Sequence, residues 1–158
     1  MRPLSLLALL LLPLSAVAQD AEPGMTAERT REILTAYAAE HDPQYLAEDA
    51  VFIDLATGQR YEGREAIGEM LHHIYHVAFD ARAEDARLIV GEGTAALEAM
   101  FVGTHTGEFA GIPATGREVR VPLVVLYDVG EDGIAEGRIY LQAATMMQQL
   151  GATAGAHH

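Results

Sequence analysis

GTHTGEFAGIPATGREVRVP, residues 103–122, lies between two apolar runs, LEAMF (97–101) and VPLVVLY (121–127). Four glycines and two prolines break the apolar pattern here, so the chain must reverse between two long strands. The stretch also holds one histidine, His105. Alternation along the first strand puts Leu97, Ala99, Phe101 and His105 on one side, and Glu98, Met100, Val102 and Thr104 on the other. Outward from this hairpin, the turns GEG (91–93) and GEDG (130–133) separate four β-rich segments, near 83–90, 94–106, 117–129 and 134–142.

The preceding chain reads as helical. Thr26 is a good N-cap and Glu28 suits a first turn, and Ile33, Leu34 and Tyr37 recur at helical spacing to about residue 40. Asp42 and Pro43 restart the chain as a short second helix through Ala47. DAVFIDL (49–55) follows as a strand, Thr57-Gly58 as a turn and residues 60–62 as a brief return strand. In a third helix, residues 63–76, Ile67, Met70, Leu71, Ile74 and Tyr75 share one face, which leaves His72, His73 and His76 toward water. ATMMQQL (144–150) closes the chain as a short amphipathic helix. Helices followed by antiparallel strands predict an α+β domain whose curved sheet wraps around the N-terminal helices.

Residues 1–18, MRPLSLLALLLLPLSAVA, have a cationic start, a leucine-rich run and an Ala-Val-Ala ending, the pattern of a secretory signal cleaved before Gln19. The division expected is therefore signal 1–18, polar leader 19–25, domain 26–151 and flexible tail 152–158, with the mature protein periplasmic or secreted. Without cysteine, no disulfide can form, and stability must come from packing. A formal charge of −13 repels nucleic acid and anionic membrane surfaces, so neither is an expected partner. All ten basic residues are arginine, and the only serines, Ser5 and Ser15, lie in the signal. The nucleophiles left are Thr, carboxylate, Tyr and His, which directs attention to acid–base chemistry or to none. His72 and His76 have the spacing of a metal clip without a placed third ligand, and no cofactor motif is present, so neither metal nor cofactor is expected.

From about Thr26 to Gly151 the chain resembles the nuclear-transport-factor-two-like superfamily, in particular its SnoaL-like polyketide cyclase or ester cyclase branch. The hairpin ending in Thr115-Gly116-Arg117 and the C-terminal YLQAATMMQQLG (140–151) carry the likeness to the branch, and DAVFIDLATGQRYEGREAI (49–67) is similar to the superfamily at large. The resemblance implies a cone-shaped, cystatin-like barrel: a strongly curved antiparallel sheet closed by the N-terminal helices around an apolar cavity for a small molecule. It also implies a homodimer formed through the outer sheet face.

Several residues are candidates for that cavity. His105 either points into it, as the family's hairpin histidine does, or satisfies loop backbone groups at the strand end. Gln142 occupies the place of the aspartate in the branch signature Y-x-D-x-x-x-x-x-x-Q-L-G, where the resemblance puts a general base; an amide can orient a ligand but cannot take the proton. It is either a cavity contact beside Tyr140 or a cap of the last helix. Asp54, alternating with Phe52, resembles the catalytic aspartate of ketosteroid isomerases, and Tyr37 their oxyanion-holding tyrosine, whereas Val124 stands where they carry a second acid. Asp54 can equally cap the Thr57-Gly58 turn. The expected lining comprises Tyr37, Phe52, Asp54, Phe101, His105, Tyr140 and Gln142, with His105 and Asp54 as catalytic candidates. Two functions fit. One is an exported acid–base catalyst of isomerase, cyclase or lyase type acting on a small, apolar, carbonyl-containing molecule. The alternative is a non-catalytic periplasmic binding protein that has lost the family's aspartate at Gln142.

Overall fold

A computed structural model describes residues 24–151, so the signal at 1–18, most of the leader and the tail at 152–158 lie outside the described residues. Helix α1 (Ala27–Glu40) starts where its cap dictates: the Thr26 hydroxyl accepts the Arg29 N–H at 3.1 Å. It buries Thr30, Ile33, Leu34 and Tyr37. Thr30 also ties the helix to the sheet, because its hydroxyl accepts the Gly93 N–H at 3.0 Å.

The expected second helix is a single 3₁₀ turn, Pro43–Tyr45, and strand β1 (Leu46–Asp54) begins at once. Leu46 and Ala50 are fully buried, and that burial needs an extended chain with Leu46 paired to Ile134. After β2 (Arg60–Glu62), helix α2 (Arg64–His72) gives way to a π-helical turn, His73–Ala78, and β3 (Phe79–Val90) starts earlier than its sequence indicates. The wider turn delivers Phe79, fully buried, opposite His105. Strands β4 (Thr94–His105), β5 (Glu118–Gly130) and β6 (Gly133–Leu141) and helix α3 (Ala143–Leu150) complete the chain.

The α+β class with a curved sheet over N-terminal helices is as expected. Two details sharpen it. The sheet order is β2-β1-β6-β5-β4-β3, and β1 runs parallel to β6, so the sheet is mixed; β2 and β3 are its edges, so it does not close. Irregular register between Glu84 and Arg87, with Asp85 at φ 54°, adds local bend and twist to β3. Gly103 permits the tight approach beside it: a Cβ there would lie 2.5 Å from that of Ala81.

The two stretches that carry the branch resemblance meet in space. Strand β6 pairs with β5 only from Leu123 onward, which leaves the Arg120 backbone unpaired on that side. Gln149 of α3 replaces the missing strand: its carbonyl accepts the Arg120 N–H at 2.8 Å, and its amide donates to the Arg120 C=O at 3.0 Å. Arg117 donates to the Gln149 backbone at 3.3 Å, and a Cβ on Gly151 would strike the Arg117 guanidinium. The Thr-Gly-Arg and Gln-Leu-Gly elements are thus two halves of one clamp. At about 0.5–1.5 kcal/mol net per hydrogen bond, Gln149→Ala should cost roughly 1–3 kcal/mol in urea unfolding; an unchanged midpoint would show the clamp to be dispensable.

Candidate functional site

A cavity of about 860 Å³ opens between the concave sheet face and α1, α2 and the π turn. Alternation builds its floor: Leu123, Val125 and Tyr127 of β5 and Ile139 and Leu141 of β6 point inward, with Leu97 and Phe101 of β4 beside them. The walls are largely aromatic. Tyr37 meets Phe52 and Tyr127 edge-on at 6.4 and 6.1 Å, and Tyr75 meets Phe101 at 5.3 Å. A smaller cleft of about 280 Å³ beneath α1 shares Tyr37 and Tyr127 with it.

Four expected lining residues are there: Tyr37, Phe52, Asp54 and Phe101. Tyr37 is 1% exposed, and its hydroxyl has no hydrogen-bond partner among the described residues. A buried O–H without a partner costs about 1–3 kcal/mol, which a bound ligand or water would recover. Burial holds the Tyr37 hydroxyl well above the usual tyrosine range, the nearby Tyr127 and Tyr75 adding to it; burial also pushes Tyr75 up to about 12 and Tyr127 upward. All three therefore stay protonated donors. Asp54 combines both of its readings: Oδ1 accepts the Ala56 N–H at 2.8 Å and, more weakly, the Thr57 N–H at 3.4 Å, while the residue lines the cavity. Its charge reaches Tyr61, whose hydroxyl is raised by burial and then by Asp54.

The other three expected residues lie outside the lining. His105 has the inward phase but is 0% exposed, its ring against Phe79 at 5.0 Å. Its Nδ1 accepts the Thr115 N–H at 3.2 Å and lies 3.0 Å from the Thr115 hydroxyl. In the neutral ring this places the proton on Nε2, which is buried without a partner among the described residues. Its backbone bonds Arg117 and Gly116, both at 2.9 Å, so the residue organises the hairpin. Tyr140 is half-exposed and Gln142 exposed, because Ile139 and Leu141 take the inward phase of β6 and leave positions 140 and 142 on the opposite side. Gln142 is the N-cap residue of α3, but its side-chain oxygen accepts from the Thr145 hydroxyl at 3.1 Å, not from a helix N–H.

His41 was missed, though it follows Tyr37 by four residues and so continues the face of Ile33 and Tyr37. It lines the cavity as the C-cap of α1 at φ 53°, ψ 37°, a left-handed conformation that a non-glycine residue adopts at a cost. Its ring lies 4.6 Å from that of Tyr75. Phe109 was also missed: the hairpin folds back through the Phe109–Ile112 bridge and lays Phe109 over the cavity, a tertiary contact without periodic signal. His72, His73 and His76 are exposed as expected, and His73 reaches the cavity edge. Among the described residues, no three His, Cys, Asp or Glu side chains converge as a metal ion would require.

The model of the SnoaL-like polyketide cyclase family matches residues 25–150. The chain belongs to that family. Among curated proteins none matches it in sequence. Solved structures of the same fold include a protein from Jannaschia sp. CCS1 described as a SnoaL-like polyketide cyclase (19% identity, TM-score 0.72, covering 85% of this chain and 99% of that one). A polyketide cyclase-like protein from Xanthomonas campestris pv. campestris is similar at 20% identity and TM-score 0.70, covering 78% and 98% of the two chains. A protein with a ketosteroid isomerase-like fold from Catenulispora acidiphila DSM 44928, in complex with trimethylamine, aligns at 21% identity and TM-score 0.64 over 80% and 98%. At these identities the likeness establishes the fold, and the chemistry of this SnoaL-like domain must be read from its own cavity.

Burial lowers the proton affinity of His41 from the ordinary 6.5, and the nearby His76 lowers it further. The unfolded chain is then the better proton binder, so this contribution to stability is complete above about 6.5 and is lost as pH falls from there to the lowered folded value. Unfolding followed across this window should show the native protein weakening more steeply than His41→Gln. Parallel curves for the two would remove His41 from the pH response.

Proposed function

We propose that this SnoaL-like domain is an acid–base catalyst acting on a small, apolar, carbonyl-containing molecule. The observation that carries this reading is the presence, in one apolar cavity, of the unpartnered Tyr37 hydroxyl and the Asp54 carboxylate. Asp54, with Oδ1 held by the turn, takes a proton from the carbon beside the carbonyl. The electron pair moves onto the carbonyl oxygen, where the Tyr37 O–H stabilises it, and Asp54 returns the proton to a different position. Aromatic walls exclude water and strengthen that hydrogen bond. The trimethylamine bound by the Catenulispora protein supports a small-molecule ligand on this fold.

The test is solvent-deuterium exchange at the activated carbon of a panel of ketones and esters, followed by NMR. Asp54→Asn, which keeps the Oδ1 acceptor for the turn, should remove roughly 10²–10⁴-fold of the exchange, and Tyr37→Phe roughly 10²–10³-fold, with the fold intact. Exchange that persists in both variants would sink the assignment. Ligand binding by a native protein that promotes no exchange would establish the second reading, a non-catalytic binder. That reading is favoured by one observation: positions 105 and 142, which the family resemblance marks as functional, contribute nothing to the cavity surface.

The N-terminal pattern supports export with cleavage before Gln19. Apolar groups on the outer sheet face, with Val124 opposite Tyr140 and Met100 opposite Pro122, support a homodimer through that face. Native mass spectrometry of protein from its producing cells should give twice the mass of a chain beginning at Gln19. A single chain beginning at Met1 would overturn both.

A further inference from the structure

The formal charges on the cavity wall are all negative. Among the described residues, Asp54 of β1 and Glu69 of α2 line it and no arginine does, and the chain has no lysine. Apart from Arg31, exposed on α1 and outside the cavity lining, the described arginines are committed elsewhere, Arg29 to Glu32 among them. Arg60 pairs with Glu62, Arg82 and Arg120 with Glu84, Arg87 with Glu98, and Arg138 with Asp128 and Glu136. Arg64 donates to the Leu46 carbonyl and Arg117 to that of Gln149. Among the described residues, neither Asp54 nor Glu69 has an ion-pair partner. The remaining walls are ring faces and edges, chiefly Tyr37, Phe52, Tyr75, Phe101 and Tyr127. Such faces attract a desolvated cation, through the ring quadrupole, by about 0.5–2 kcal/mol each. The unpartnered Tyr37 hydroxyl in the same wall is independent evidence that a ligand completes the site.

We infer that the cavity selects molecules in which an apolar body carries a cationic amine or ammonium group, the body against the aromatic rings and the cation toward Asp54 and Glu69. A neutral body gains only burial, and a carboxylate-bearing one meets two like charges with no cation to offset them. Of the titratable groups facing the site, the tyrosines stay neutral, and the lowered proton affinity of His41 keeps it neutral from near-neutral pH upward. His73 stands exposed at the cavity edge. The inference rests on the cavity being the binding site, and with the proposed catalysis it names the substrate class as an amine-bearing carbonyl compound.

Three probes with one body separate the possibilities: phenylpropylamine, phenylpropanol and phenylpropanoate, titrated calorimetrically at mildly alkaline pH and low salt. The amine should bind at least about tenfold more tightly than the alcohol, and the acid most weakly. The preference should shrink with added salt and fall close to one in the Asp54→Asn, Glu69→Gln double variant. An alcohol that binds the native protein as tightly as the amine, or a preference that survives in the double variant, overturns the charge selection and leaves the cavity reading standing. If none of the three binds, both fall.

Discussion

The parallel pairing of β1 with β6 is the joint on which the rest of the molecule depends. It couples residues 46–54 to residues 133–141 across most of the chain, and it brings Phe52 and Asp54 beside Gly137 and Ile139. Without it, β1 and β2 would have no place in the sheet, and Asp54 would not face the floor formed by β5 and β6. Two glycines make the joint possible. Gly133, at φ 114°, lets β6 start against the Tyr45 backbone, and a Cβ on Gly137 would lie 2.8 Å from the Phe52 ring. Side chains at either place would push the strands apart, so close approach at the joint sets where the cavity wall stands.

From that joint the cavity's chemistry follows by burial. In a chain without cysteine, the aromatic residues that pack the concave face also carry its polar groups, and the tyrosine hydroxyls are thereby taken out of water. Desolvation disfavours the charged form of each, so tyrosine becomes a more persistent donor and His41 a more persistent neutral base. The cost is visible in two places: a hydroxyl with no partner at Tyr37 and a left-handed backbone at His41. Packing alone calls for neither, and both lie on the cavity wall.

The fold was largely legible because period-two and period-3.6 patterns survive in a long-stranded domain, and because Thr26, Asp42-Pro43 and the glycine turns carry local signals. What failed was geometry without local signal. A π-helical turn has no compositional mark, so the start of β3 was misplaced, and a parallel pair between distant strands leaves no periodic trace. The site was half legible. Tyr37, Phe52, Asp54 and Phe101 follow from phase, whereas Tyr140 and Gln142 were assigned from a motif when the apolar Ile139 and Leu141 already gave the opposite phase. His105 shows the limit of phase itself: it points to the cavity side, yet Phe79, delivered by the π turn, and Thr115, delivered by the hairpin, enclose it.

The position of residue 142 changes what its substitution means. A glutamine in a catalytic pocket would read as the loss of a base, but Gln142 is exposed at the start of α3 and outside the cavity lining. The family's C-terminal sequence therefore contributes here through Gln149 and Gly151, which fasten α3 to β5, and the hairpin contributes through Arg117 and Thr115 in the same way. Beyond the apolar Phe109, Ala110 and Leu141 that they add to the cavity lining, both matching stretches serve here to fasten the sheet to α3. Among the polar residues of the cavity wall, Tyr37, His41, Asp54 and Glu69 stand on α1, the α1 cap, β1 and α2, outside both stretches. A shared clamp with a separately variable cavity is how one fold can keep its shape while the reaction, or its absence, is decided elsewhere.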